Sequence, residues 1–335
     1  MRRSGWLILG AVALLLLPFF LRNYQVYLGT LVAVQALAAL GLNVLTGYAG
    51  QVSLGHAGFM AVGGFTAAIL QMQLGVPMLL SLPLAGLFTG LVGLLLVIPA
   101  LRLSEIYLAI ATLGFGVAVQ QLLPQLPWTG GHQGLNVGMS TLDGWLRWEA
   151  DFGFFRFNEQ VNFYLFAVAV SALLWWLARN AVRSALGRAF IAVRDRELAA
   201  ESLGISLART KSYAFLLSAF LTGVAGGLYA NAVGYLDVTT FGLGYSIQFL
   251  AMIAIGGLAS LPGSLLGAAF ITLLPNALSG FSQWMPGFIY GASLLGAVMF
   301  VPYGLWGAWL RLRGRSRGAM GSIRRALGLE GKPHA

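Results

Sequence analysis

No cysteine occurs anywhere in the 335 residues, which excludes disulfides, thiolate metal sites and a cysteine nucleophile. Histidine is nearly as scarce: His56, His132 and His334 stand far apart in the chain, so no metal centre and no cofactor is expected. Charge is sparse as well. Only 9% of residues are charged, against about a quarter in a soluble protein, so this chain cannot cover itself with a polar surface. Neither a Ser/His/Asp arrangement nor an HExxH spacing is found. The phosphate-cradling pattern G-x-x-x-x-G-K-[ST] is also missing. The chain is therefore read neither as an enzyme nor as a nucleotide-binding engine.

What is there is apolar. Hydrophobic residues make up 58% of the chain, and 45 residues are glycine, which suits closely approaching transmembrane helices. The expected fold class is all-α, a polytopic helical membrane protein. Ten spans are expected, at about 6–21, 26–46, 54–73, 78–101, 105–123, 161–178, 212–235, 242–258, 263–280 and 287–310. The first resembles a signal peptide, but no small-x-small cleavage site follows "LPFFLRNYQ", so it is read as an uncleaved helix. A membrane domain then covers 1–310, with a charged loop at 179–211 and a basic tail at 311–335.

The net charge of +10 does not point to nucleic acid, because the basic residues lie in blocks beside apolar runs. Two stand at the start, one is Arg102, seven lie in 179–211 and seven follow residue 310. Placing these on one side leaves only Arg22, Arg147 and Arg156 on the other. By the positive-inside bias, both termini and the loop 179–211 are cytoplasmic. The tail "RLRGRSRGAMGSIRRALGLEGKPHA" is expected to meet anionic lipid. The long stretch 124–160, mixing Trp and Phe with a few acids, falls outside. It reads either as an interfacial loop at headgroup depth or as a docking rim for an extracytoplasmic partner.

Two glycine-rich breaks interrupt the hydrophobic pattern: "GYAGQVSLGHAGFMAVGGF" (47–65) and "AIGGLASLPGSLLGAAF" (254–270). Matched interruptions in two halves point to a transport pathway built from two five-helix repeats. Glycine breaks are also common in membrane helices generally. Asn43, Gln51, Ser53 and His56 surround the first break. Each is a candidate lining residue of a translocation pathway, or a polar side chain satisfying backbone groups freed by the break.

The spans themselves hold almost no ionisable residue, which leaves a proton-driven carrier little to work with. The charge is gathered instead in "RNAVRSALGRAFIAVRDRELAAESLGISLARTK" (179–211). Within it, "FIAVRDRELAAESLG" (190–204) is read as one short helix stopped by Gly204. Arg194, Glu197 and Glu201 would share a face, with Leu198 and Leu203 offering apolar contact. Such a helix is either a plain connector or a handle that a soluble subunit pushes.

The segment "GRAFIAVRDRELAAESLGISLARTKSYAFLLSAFLTGVAGGLYA" resembles the coupling-helix region of ABC-importer permeases in the LivM-like, branched-chain amino-acid family. So do "GLNVLTGYAGQVSLGHAGFMAVGGFTAAIL" (41–70), "LRLSEIYLAIATLGFG" (101–116) and "IQFLAMIAIGGLASLPGSLLGAAFITLLP" (247–275), in the family's order. The resemblance implies an ATPase-coupling role for Arg194, Glu197, Leu198, Glu201, Leu203 and Gly204. It implies three kinds of partner beside membrane lipid: a second related permease subunit, two cytoplasmic ATP-binding subunits and an extracytoplasmic substrate-binding protein. The implied cargo is a branched-chain or similar hydrophobic amino acid. Related permeases carry urea and short amides, and an ion-coupled carrier is the alternative from another class.

Overall fold

A computed structural model of the chain describes residues 17–101, 105–137, 146, 148–151, 156–277, 291–292, 296 and 304–312. The expected first span lies mostly outside this range, as do most of the tenth and nearly all of the basic tail. Residues Leu17–Phe19 form a 3-10 turn.

The other eight spans each correspond to a helix. α1 is Asn23–Leu42 and runs on as a π-helical segment, Asn43–Tyr48. α2 is His56–Met72, α3 Met78–Leu95 and α4 Glu105–Leu122. α5, Glu159–Arg183, is capped by the Asn158 side chain, which accepts from the Val161 N–H at 2.9 Å. α6 (Ala185–Asp195) and α7 (Glu197–Ser202) are short and charged. α8 is Leu207–Val233, α9 Leu243–Gly256 and α10 Leu261–Ala277, and α11 covers Gly304–Leu312.

Five of these helices are long and apolar enough to cross a bilayer: α1 with its π segment, α3, α4, α5 and α8. α2 and α9 are shorter, with 17 and 14 residues, and α10 has 17 up to the limit of the described residues. At about 1.5 Å per residue, 14 residues reach about 21 Å, less than the roughly 30 Å of hydrocarbon. The first expected break lies between the π segment that ends α1 and the start of α2, and the second between α9 and α10. The end of the bundle carrying residues 179–211 is called here the basic end, and the opposite one the loop end.

α1 and α8 form the centre. α8 packs on α1, α2 and α3, while α1 also meets α5, α9 and α10. Small residues set the spacing. A Cβ on Gly63 of α2 would stand 2.2 Å from the Gly223 carbonyl oxygen of α8, so the two backbones touch there. The outward face of α3, with Leu80, Leu84, Leu87, Phe88 and Leu91, is exposed and apolar along its length, as a lipid-facing surface must be.

At the loop end, residues 123–133 form three short 3-10 turns. Leu135–Asn136 pairs with Tyr235–Leu236, and Ala150–Asp151 with Arg156–Phe157. Trp128 and Trp148 are exposed, consistent with rings at headgroup depth.

Candidate coupling surface and paired helix breaks

The charged segment departs from the expected single helix over 190–204. It is two helices, separated at Arg196, whose backbone is extended (φ −158°, ψ 105°). Electrostatics favours the break, which places Glu197 in the first turn of α7, where a carboxylate is stabilised by the helix dipole. Glu197 Oε1 also pairs there with Lys211 Nζ at 2.8 Å.

The break corrects the expected shared face. Arg194 lies in the last turn of α6 and turns toward the bundle: its Nη1 donates to the Gly47 carbonyl at 2.8 Å, and its Nε and Nη2 donate to Asp195. Glu197 and Glu201 belong to α7, and Glu201 is exposed. Leu198 and Leu203 are 84% and 80% exposed, among the most exposed large apolar side chains in the described residues. Of the α7 residues only Ala200 is fully buried.

Gly204 terminates α7 as expected. Its φ is +82°, a conformation that suits glycine. The Ile205 N–H donates to the Ala200 carbonyl at 3.0 Å and the Gly204 N–H to the Glu201 carbonyl at 2.9 Å, the paired bonds of a Schellman stop.

α7 is anchored by a residue that sequence reasoning passed over. Lys211 is buried in the first turns of α8 and also donates to the Ala100 carbonyl at 3.1 Å. It therefore ties α7 to α8 and to the short helical turn Val97–Ala100 that follows α3. Fourteen residues separate Lys211 from Glu197, so no local spacing announced the pair.

The four pathway candidates cluster at the first break and are buried, none more than 3% exposed. Asn43 is the most fully used. Its Oδ1 accepts from the Ala259 N–H at 2.9 Å, and its Nδ2 donates to the Ser260 carbonyl at 2.9 Å and to Ser264 Oγ at 2.8 Å. One side chain of the first break thus stitches the second. The Gln51 carbonyl accepts from Thr46 Oγ1 at 3.0 Å. His56 Nε2 lies 2.6 Å from Thr222 Oγ1, and its ring sits edge-on to Phe59 and Phe249. Ser53 Oγ has no hydrogen-bond partner among the described residues.

The buried start of α2 is capped from other helices. Thr112 Oγ1 accepts from the Leu54 N–H and Ser246 Oγ from the Ala57 N–H, both at 3.0 Å. These hydroxyls, with Thr222, Ser264 and Lys211, are the site residues that the sequence did not single out. A lone Ser or Thr in a span gives no signal of which distant amide it will satisfy.

Fold and site together define a polytopic helical permease whose two broken helical regions meet beside a charged hairpin. The chain belongs to the family described as "Branched-chain amino acid transport system / permease component", whose sequence model matches residues 25–301. It is 34% identical over 299 residues to the high-affinity branched-chain amino acid transport system permease protein LivM of Salmonella typhimurium, covering 84% of this chain and 68% of that one. Against LivM of Escherichia coli K12 the identity is 34% over 307 residues, covering 86% and 71%. An autoinducer 2 import system permease protein, LsrC of Enterobacter sp. strain 638, is 30% identical over 316 residues, covering 91% and 75%. No solved structure matches the chain.

Proposed function

We propose that this chain is the membrane-spanning subunit of an ATP-driven importer that passes branched-chain or similar hydrophobic amino acids into the cell. In this reading it lies in the cell inner membrane with the basic end and both termini cytoplasmic. It works with a second related permease subunit, two ATP-binding subunits and an extracytoplasmic substrate-binding protein. The observation that carries the reading is α7 and its cap: a six-residue helix with Leu198 on it and Leu203 just after it both largely exposed, yet held by Lys211 and stopped by Gly204. Two bare leucines on a fixed mount at the basic end suit a groove on an ATPase subunit, with Glu201 setting register.

Among the described residues His56 and Lys211 are the only buried side chains of the Asp, Glu, His, Lys and Arg types, and Lys211 is committed to its ion pair. That supports a driving force supplied by partners rather than by a proton relay. For Asn43, Gln51, Ser53 and His56 we infer that they hold the broken helices in shape beside the pathway.

The test is assembly. Leu198→Glu with Leu203→Glu is expected to leave the protein in the membrane but to lose the ATPase subunits on purification. Retention of the ATPase in that variant would refute α7 as the docking element. A second cargo reading, a different small solute, is favoured by the similarity to an autoinducer 2 permease. Calorimetry with the cognate binding protein separates the two, because leucine binding supports the first reading and its absence the second.

A further inference from the structure

Short contacts run without interruption from the charged hairpin to both helix breaks. Arg194 begins the series. Its Nη1 bond to the Gly47 carbonyl is 2.8 Å long, and its bonds to Asp195 Oδ1, 3.1 and 3.0 Å, fix the guanidinium plane. The stem of the same side chain covers Gly50, where an added Cβ would stand 2.6 Å from Arg194 Cγ. Gly50 also has φ +71°, so both space and backbone demand glycine.

Gly47 is equally confined on its other side. A Cβ there would stand 2.0 Å from Asn43 Oδ1 and 2.5 Å from the Ala259 nitrogen. Asn43 then continues the series into the second break through its bonds to Ala259, Ser260 and Ser264. Ala259 has φ +54° and is the only non-glycine residue with positive φ among the described residues. Asn43 Oδ1, taking the Ala259 N–H, helps to hold that unfavourable backbone.

We propose that Arg194 is a positioning residue of the transport cycle, joining the partner-facing hairpin to the Gly47–Gly50 turn so that α6 and the two breaks move as one body. The proposal rests on the ATP-driven reading above and gives Arg194 a role different from docking. α7 receives the push, and Arg194 passes it inward. Contacts this close do not stretch. A displacement of α6 must either carry the Gly47 carbonyl with it or break the bond, and Asn43 ties the same segment to the 257–260 turn.

Two measurements on Arg194→Ala test this, both with the chain assembled with its second permease, ATPase and binding-protein partners and supplied with radiolabelled leucine. The ATPase subunits should still co-purify and still hydrolyse ATP, while leucine moved per ATP falls by about tenfold, within the usual range for coupling between sites. Arg194→Lys, which can still reach the Gly47 carbonyl from one ammonium, should recover part of that ratio. Unchanged transport per ATP, or loss of the ATPase from the complex, would overturn the proposal. Hydrogen exchange is the second measurement and needs no transport: amides of 44–51 and of 257–264 should both exchange faster in Arg194→Ala. Faster exchange confined to 44–51 contradicts the linkage. Failure of the wild-type chain to hold an ATPase would instead count against the importer reading, and the exchange data would still decide the linkage.

Discussion

Lys211 Nζ stands 2.8 Å from Glu197 Oε1 and 3.1 Å from the Ala100 carbonyl oxygen. The Lys211 side chain is 5% exposed and that of Glu197 is 42% exposed. This buried ammonium is the hinge post on which α7 hangs. Removing the carboxylate leaves the cation with a single carbonyl, at a cost of about 1–3 kcal/mol. Glu197→Ala is therefore expected to lower the detergent melting temperature by a few degrees and to loosen α7. Lys211→Met should be milder, because it removes the buried charge together with its need for a partner. Melting curves of the two variants check the order, and equal or reversed losses would refute the post.

Gly204→Val tests the aim of α7 rather than its anchorage. At φ +82° a β-branched residue is strained by roughly 1–2 kcal/mol, while the space around the position is open. The expected outcome is normal membrane insertion with uptake uncoupled from ATP hydrolysis, or with the ATPase detached. Normal uptake together with normal ATPase co-purification would show that the segment is only a connector.

Much of this was legible in the chain. The eight central spans are helices where apolar length predicted them, and the breaks flanking Asn43–Gly55 and Gly257–Ser260 follow from glycine and polar interruptions. Gly204 as a stop was readable because only the left-handed conformation makes a glycine there useful. The division at Arg196 was not, because helix propensity favours continuity through "VRDRELAA" and the opposing cause is the distant Lys211. Nor did the sequence show that Asn43 bridges two breaks more than two hundred residues apart. Pattern reports which polar residues lie at a break, and only packing assigns their partners.

The backbone contact between α2 and α8 gives a separate prediction. A Cβ on Gly63 would stand 2.2 Å from the Gly223 carbonyl oxygen, and one on Gly223 would stand 2.4 Å from Thr89 Oγ1. Gly63→Val must push the helices apart, an overpacking cost of about 1–3 kcal/mol or more. Expect reduced yield and earlier thermal unfolding. Gly114→Ala on α4, where no atom lies within 4 Å of the added Cβ, should be close to neutral. Similar stability losses for the two would contradict the central role of this contact.

Orientation is accessible because the chain holds no native cysteine. Ala185→Cys introduces one exposed thiol at the start of α6. In intact cells it should resist a membrane-impermeant maleimide and react only after permeabilisation. Labelling from outside would invert the topology and remove α7 from the reach of a cytoplasmic ATPase.

ATP-dependence of leucine flux most directly tests the claim that this permease is driven from outside its own chain. The chain is reconstituted in proteoliposomes with its second permease, ATPase and binding-protein partners, and the same vesicles are prepared without the ATPase subunits. Uptake of radiolabelled leucine is then followed with and without ATP under an imposed proton or sodium gradient. The account predicts uptake only when ATP and the ATPase subunits are both present, with no response to either gradient. Gradient-driven uptake of equal rate in vesicles lacking the ATPase would contradict it.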